Sequence, residues 1–425
     1  MKFHEFFSFV IKSGILKKIK VAFIADILER NFDGAARTVY KIIDNIPEDK
    51  FDYIFICGVP PKAEDKFKFR YISVATCPIP LNSSYRMAIP LTKQSKIENT
   101  LNEFNPDVIH ITTPSILGNF ALAWAKKNHV RIISIYHTHF ISYIDYYFKS
   151  IPFLIPYLKR SAVKKMKNFY DKCDKVYVPT EGIIDELGKL GLQMKNIKLW
   201  QRGLDKNIFN PNKRNREYIR TITGNNRPNI LFVSRLVWEK NLEVLREVFF
   251  KIRAYNLELN FIVAGDGVAR QELEASMPGA IFLGNVDHQT LSIIYASSDV
   301  FIFPSISESY GNVVVEAMAS GLPCVIADGG GSASLVTHGV NGFLCSPKDA
   351  DEYIHYIRKL IEDEGIYQNI VKNAIEYTKL LDWDILLRQY FDDVEQLAQE
   401  EVRTGFEANN LLVLPFKKKV ESKLL

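Results

Sequence analysis

Two cations five residues apart, Arg235 and Lys240 in SRLVWEKN, stand just beyond the apolar run NILFV, and two carboxylates, Glu308 and Glu316, bracket the stretch SYGNVVV. Arginine offers a bidentate fork and lysine a point charge, so the pair can hold a diphosphate, although solvated surface cations would share that spacing. Glu308 falls in a loop after a strand-like run, and Gly311 and Asn312 open a helix whose free backbone N–H groups attract anions. Glu316 lies about one turn inside that helix, and because helical side chains lean toward the N-terminus its carboxylate can return to the same ligand. A carboxylate with two acceptor oxygens suits a vicinal diol, in a ribose or a sugar. A single glutamate there could simply favour the positive helix end; two beside a diphosphate site need more explanation.

Those residues fall where strands end. Strand-like runs occur at 20–27, 51–58, 108–112, 131–138 and 175–180, then at 229–236, 259–267, 280–284, 299–305 and 323–328, with helix-length segments between them. This alternation is the sequence form of β-α-β units, so the fold class expected is α/β with two doubly wound Rossmann-like domains. Residues 206–228, rich in Asn, Arg and Pro, read as the linker. Ligands of such domains bind at the carboxyl ends of the strands, which places the site in the cleft between the two. There the chain puts Gly34, Ala35, Ala36 and Arg37 after the first run, and His137, Thr138 and His139 after the fourth. A histidine at a strand end can be a hydrogen-bonded structural residue or a catalytic one; His137 carries the stronger claim, His110 and His139 weaker ones.

Composition excludes several classes. A chain of 425 residues, 47% hydrophobic and 24% charged, is too long for one ordinary domain and too apolar for a disordered one. Its five scattered cysteines have no C-x-x-C spacing, which argues against a disulfide framework or a thiolate zinc site and suits a reducing compartment. No run of 18 apolar residues is free of charge and proline, and Glu5 and Lys12 interrupt the apolar part of the first 18 residues, so the amino-terminal segment is read as retained, either packed on the protein or lying at a membrane interface. Gly265-Asp266-Gly267 lacks the third glycine of a dinucleotide fingerprint. Asp382-Trp383-Asp384 has a metal-binding spacing but lies in a helical segment, so no metal and no cofactor are expected.

The combined blocks resemble the retaining nucleotide-sugar glycosyltransferases of glycosyltransferase family 4, which have the GT-B fold. Glu308-x7-Glu316 is similar to that family's E-x7-E signature. Ser234-Arg235-Leu236 with Glu239-Lys240 resembles its G-R-L-x-x-E-K block with Ser for Gly, and Asp33 to Arg37 its G-G-x-x-R loop with Ala35 for the second Gly. Ala264 to Gly267, Gly339 to Leu344 and Trp383 also match in order. Tyr136-His137-Thr138 and Trp200-x-Arg202-Gly203-Leu204-Asp205 resemble the subgroup of lipid mannosyltransferases and sulfoquinovosyl lipid synthases. The resemblance implies that Arg235 and Lys240 bind the donor diphosphate, that Gly34 lets backbone approach it, and that Glu316 holds the ribose. Glu308 would hold the transferred sugar, with Ser309, Tyr310, Gly311 and Asn312 in the same loop, and His137 beside the anomeric centre or the 6-position. Ala35 would narrow a loop meant for close approach. The implied organisation is an acceptor-side domain at 1–205, the linker, a nucleotide-sugar domain at 229–380, a helix at 381–400 crossing back to the first domain, and a tail at 401–425.

The function expected is transfer of a hexose from GDP-mannose or a UDP-hexose to a lipid, lipid-linked or glycan acceptor, by front-face attack with retention. A sugar-nucleotide epimerase or hydrolase on the same architecture, or a non-catalytic sugar-nucleotide binder, are the alternatives. Charge locates the acceptor side. The chain carries +5 overall, yet residues 1–210 hold 32 Lys and Arg against 20 Asp and Glu, and the remainder 22 against 29. Seven of those cations fall in 148–172, interleaved with aromatics and prolines, which suits an anionic membrane surface as well as a solvated helix. The absence of a recognised module argues against nucleic acid. A cytoplasmic protein, peripheral on the inner face of a membrane, is the expected setting.

Overall fold

The computed structural model describes residues 17–400 apart from 31, 80, 81, 137–140, 142, 143, 145–147, 149, 150, 193 and 194. His137 and His139, the segment before residue 17 and the tail after residue 400 lie outside the described residues. The strands are β1 (Ile19–Ile27), β2 (Phe51–Val59), β3 (Arg70–Ser73), β4 (Ala75–Ile79), β5 (Asn82–Ile89), β6 (Val108–Ile111), β7 (Arg131–Ile135), β8 (Lys175–Val178), β9 (Ile197–Leu199), β10 (Asn229–Val233), β11 (Asn260–Ala264), β12 (Ile281–Gly284), β13 (Val300–Phe303), β14 (Cys324–Ala327) and β15 (Phe343–Cys345). All ten predicted strands form. The central runs are buried on both faces, as Val21 to Ala25 in β1 and all of β10 are, which only a sheet covered by helices on each side permits.

Two parallel sheets result, ordered β3-β2-β1-β6-β7-β8-β9 and β12-β11-β10-β13-β14-β15, with β4 and β5 as a separate antiparallel pair. In each sheet the strand order reverses beside the first strand of its half, between β1 and β6 and between β10 and β13. These are the switch points where doubly wound sheets open a crevice. This is the GT-B architecture.

Six helices bear on the site: α1 (Gly34–Asp44), α2 (Ile155–Tyr170), α3 (Arg216–Thr223), α4 (His288–Ser297), α5 (Asn312–Ala319) and α6 (Trp383–Gln399). The 206–228 segment is more than the bare connection expected from its composition. Asn215 caps α3 by accepting from the Tyr218 N–H at 2.9 Å, Gly224 closes it at φ 71°, and Ile219 and Phe209 enter the second core. A cap, an αL glycine and one well-placed apolar residue outweigh the polar composition. Asp382 and Asp384 have a similar explanation: Asp382 caps α6 by accepting from the Asp384 N–H at 2.8 Å. Helix α6 packs on the first sheet, burying Leu386, Leu387, Tyr390, Val394 and Leu397 in its core. No helix among the described residues is long and apolar enough to cross a membrane.

Candidate functional site

The second half assembles its carboxylates and one cation around two loops. Lys240 ends a 3₁₀ turn at Trp238–Lys240, which Asn241 fixes: in the left-handed region at φ 57°, its amide donates to the carbonyls of Pro304 (3.1 Å) and Pro347 (2.7 Å). The Lys240 ammonium is thereby buried against the loop after β13, donating to Glu308 Oε1 at 2.6 Å and Ser307 Oγ at 3.1 Å. Burial raises the proton affinity of Glu308, but Lys240, with Arg235 and Arg202 near it, outweighs this and holds the carboxyl below its ordinary range. Glu308 is therefore an ionised acceptor, suited to sugar hydroxyls and unsuited to giving up a proton. Arg235 stands at the rim, half exposed, 3.6 Å from Glu239.

The turn bearing Arg235 is seated on Gly265 and Gly267. A Cβ on Gly265, at φ 131°, would lie 1.8 Å from the Ser234 carbonyl, so only glycine lets these loops meet. Gly311, at φ 96°, begins α5, and Asn312 is its first residue. Glu316 lies inside α5, 7% exposed, accepting from the Tyr295 hydroxyl at 3.2 Å. Its burial raises its pKa, against the opposing pull of Arg37 and Tyr295.

The first half meets this surface through α1. Asp33 caps α1, accepting from the Ala36 N–H at 2.8 Å, and takes the Tyr85 hydroxyl at 2.7 Å. Ala35 lies in the first turn of α1, a conformation open to any L-residue, so it does not narrow the loop as its place in the motif suggested. Close approach is set at Gly34: a Cβ there would lie 2.8 Å from the Asn312 amide nitrogen and 3.3 Å from the Arg202 guanidinium. Arg37 reaches across to the Nε2 of His288 at the start of α4. Burial and Arg37 both lower the pKa of His288, which is the accepting, neutral partner.

A cleft of about 280 Å³ lies between the halves, lined by Gly34, Arg37, Arg202, Tyr310, Asn312 and Glu316 among others. Arg235, Lys240 and Glu308 do not line this part; Glu308 lies within electrostatic reach of Arg202, which does. Tyr310 is buried, its ring under the Arg202 guanidinium and its hydroxyl donating to the Arg202 carbonyl at 2.9 Å. The structure thus brings together Gly34, Tyr310, Asn312 and Glu316 in one space and Lys240 with Glu308 beside it. Arg37, Arg202 and His288 also line it: the G-G-x-x-R and Trp200-x-Arg202-Gly203 motifs contain the two arginines, while no motif pointed to His288. Among the described residues no group of three His, Cys, Asp or Glu side chains can hold a metal ion.

Residues 32–207 match the family model described as Glycosyltransferase Family 4, and residues 215–377 that described as Glycosyl transferases group 1. A GDP-mannose-dependent alpha-mannosyltransferase of Corynebacterium glutamicum is 28% identical, over 92% of this chain and 93% of that protein. Sulfoquinovosyl transferase SQD2 of Arabidopsis thaliana is 34% identical, over 77% of this chain and 62% of that protein. The crystal structure of Anabaena Alr3699/HepE in complex with UDP shares the fold, with a TM-score of 0.71 at 20% identity over 89% of this chain and 100% of that one.

Proposed function

This chain belongs to the glycosyltransferases that join a family 4 amino-terminal half to a group 1 carboxyl-terminal half, and from that premise we propose that it moves a hexose from a nucleoside diphosphate sugar, GDP-mannose or a UDP-hexose, to a lipid, lipid-linked or glycan acceptor with retention. The observation that carries this reading is the meeting of Gly34, the opening of α5 and Glu316 in one cleft, with the Lys240–Glu308 pair beside it. The amide groups and cations suit a diphosphate, Glu316 a ribose diol, and the ionised Glu308 the hydroxyls of the sugar. As the bond from the anomeric carbon to the diphosphate breaks, its electron pair stays on the phosphate oxygen. The acceptor oxygen bonds to that carbon from the same face and gives its proton to the departing phosphate. Lys240 and Arg235 stabilise the charge that develops, with no acid catalyst needed.

A lipid acceptor is supported by α2, where Phe153 just ahead of it and Tyr157 are 78% and 71% exposed beside Arg160, Lys164 and Lys165, while Met166, Phe169 and Tyr170 hold the helix to its sheet. Each such cation near anionic lipid contributes about 1 kcal/mol. GDP-mannose and UDP-hexoses are to be incubated with the purified protein and with anionic vesicles carrying diacylglycerol or phosphatidylinositol. The expected outcome is an α-linked glycolipid, by proton NMR, and flotation with anionic vesicles that is lost at high salt. Sugar release without acceptor, or no donor turned over, would overturn the reading.

A further inference from the structure

We propose that Arg202, carried on the crossing between the two halves, is a third cation for the donor diphosphate, delivered by the hinge itself. The proposal rests on the nucleotide-sugar reading above and extends it to a residue outside the sugar-binding loops. The backbone around Arg202 is held on both sides. Trp200 is buried and donates its indole N–H to the Leu386 carbonyl at 3.0 Å, Gly203 is pressed on Trp383 so that a Cβ would lie 2.5 Å from the ring, and the Leu204 N–H donates to the Leu381 carbonyl at 3.1 Å. Between those anchors the Arg202 side chain is 8% exposed and lines the cleft.

A guanidinium has five N–H donors, and a buried one is normally forked onto a carboxylate. Among the described residues, that of Arg202 donates to no protein acceptor; its contact is the face of the Tyr310 ring at 5.6 Å to the centroid. The carboxylates within electrostatic reach are engaged elsewhere, Asp33 with the Ala36 N–H and the Tyr85 hydroxyl, Glu308 with Lys240. Instead its Nη1 and the Asn312 amide nitrogen converge on Gly34, 3.3 Å and 2.8 Å from where a Cβ there would lie. A desolvated cation with unused donors, a glycine that leaves room and a helix opening directed at the same space together form a receptor for an oxyanion. In a nucleoside diphosphate sugar the group that reaches this place, between the Glu316 clamp and Glu308, is the diphosphate. Since residue 202 belongs to neither sheet, bringing the halves together around the donor also brings this charge to the leaving group.

The test uses the full chain with Arg202→Met and Arg202→Lys, titrated with GDP and UDP and with the matching monophosphates. In the wild type one diphosphate binds more tightly than its monophosphate. Arg202→Met is expected to reduce that preference at least tenfold while leaving the monophosphate affinity within twofold, and Arg202→Lys to recover part of it. Equal losses for both ligands, as a purely structural hinge residue would give, or no loss for either, would overturn the proposal. If Arg202→Met lacks a cooperative melt, the preference measured for Arg202→Lys decides, an unchanged preference overturning it. A wild-type chain that binds neither diphosphate refutes the functional reading itself, a different result from a variant that binds like the wild type.

Discussion

At the scale of single residues, the site depends on charges that are buried because they are mutually engaged. Lys240 is 3% exposed and its ammonium is shared between Glu308 and Ser307. In the proposed reaction Lys240→Ala would remove a cation from the leaving group, and it leaves Glu308 without its nearest charge partner. A loss of about 10²-fold in kcat/KM is expected, the scale seen when one preorganised transition-state donor is deleted. Lys240→Arg is not a rescue, because a planar fork does not fit a pocket shaped for one point charge between a carboxylate and a hydroxyl. If Glu316 is the diol clamp of the proposed reading, Glu316→Ala is expected to weaken donor binding at least tenfold, about 1.4 kcal/mol. Steady-state kinetics alongside melting curves checks both; near-wild-type turnover by a folded Lys240→Ala protein would take Lys240 out of the site.

At the scale of elements, hydrophobic pattern and strand ends were legible in the sequence, and short or mixed elements were not. The runs at 20–27 and 229–236 read as buried strands because apolar residues fill both faces. In contrast β3, β9 and β15 have three or four residues each, β4 contains Pro78, and β5 opens Asn82-Ser83-Ser84, so none carries a period long enough to register. The meeting of Lys240 with Glu308 was legible because both follow strands of one sheet. The contacts of Arg37 with His288 and of Asp393 with three distant partners were not, since tertiary packing rather than spacing makes them. Asp393 lies on the buried face of α6 and takes Lys175 and Lys198 at 2.7 Å each and the Tyr177 hydroxyl at 2.6 Å. Burial raises its pKa, yet these three bonds outweigh that and hold it below 3.8. The contribution is thus present above the ordinary carboxylate value and is lost as pH falls through the lowered one. Asp393→Ala is expected to cost about 2–4 kcal/mol, because it strands two half-buried cations and a buried phenol. Denaturant unfolding at neutral pH measures it, and a loss below 1 kcal/mol would mean that α6 is held by its apolar face alone.

At the scale of the whole molecule, the cleft is lined from both halves, so a donor held there in the proposed reading touches both at once. The Arg37–His288 contact ties α1 of one half to α4 of the other, with Arg37 within electrostatic reach of Glu316. Arginine can only donate, so the tie exists while the His288 Nε2 is unprotonated. The groups facing His288 are Arg37, which with burial lowers its pKa, and Asp287, which opposes them; the ring of Phe209 covers one side. A lowered pKa while the contact is made means that the tie contributes fully above 6.5, the ordinary imidazole value, and weakens as pH falls from there through the lowered pKa. Protonation then replaces a hydrogen bond by two facing cations, a change of about 1–3 kcal/mol, which corresponds to roughly five- to 150-fold in donor affinity. His288→Gln keeps an acceptor that does not titrate. Donor dissociation constants measured between pH 8 and pH 5 are expected to rise steeply below 6.5 in the wild type and to lose that component in His288→Gln. A wild-type profile that coincides with the variant's at every pH would show that the two halves close without this tie.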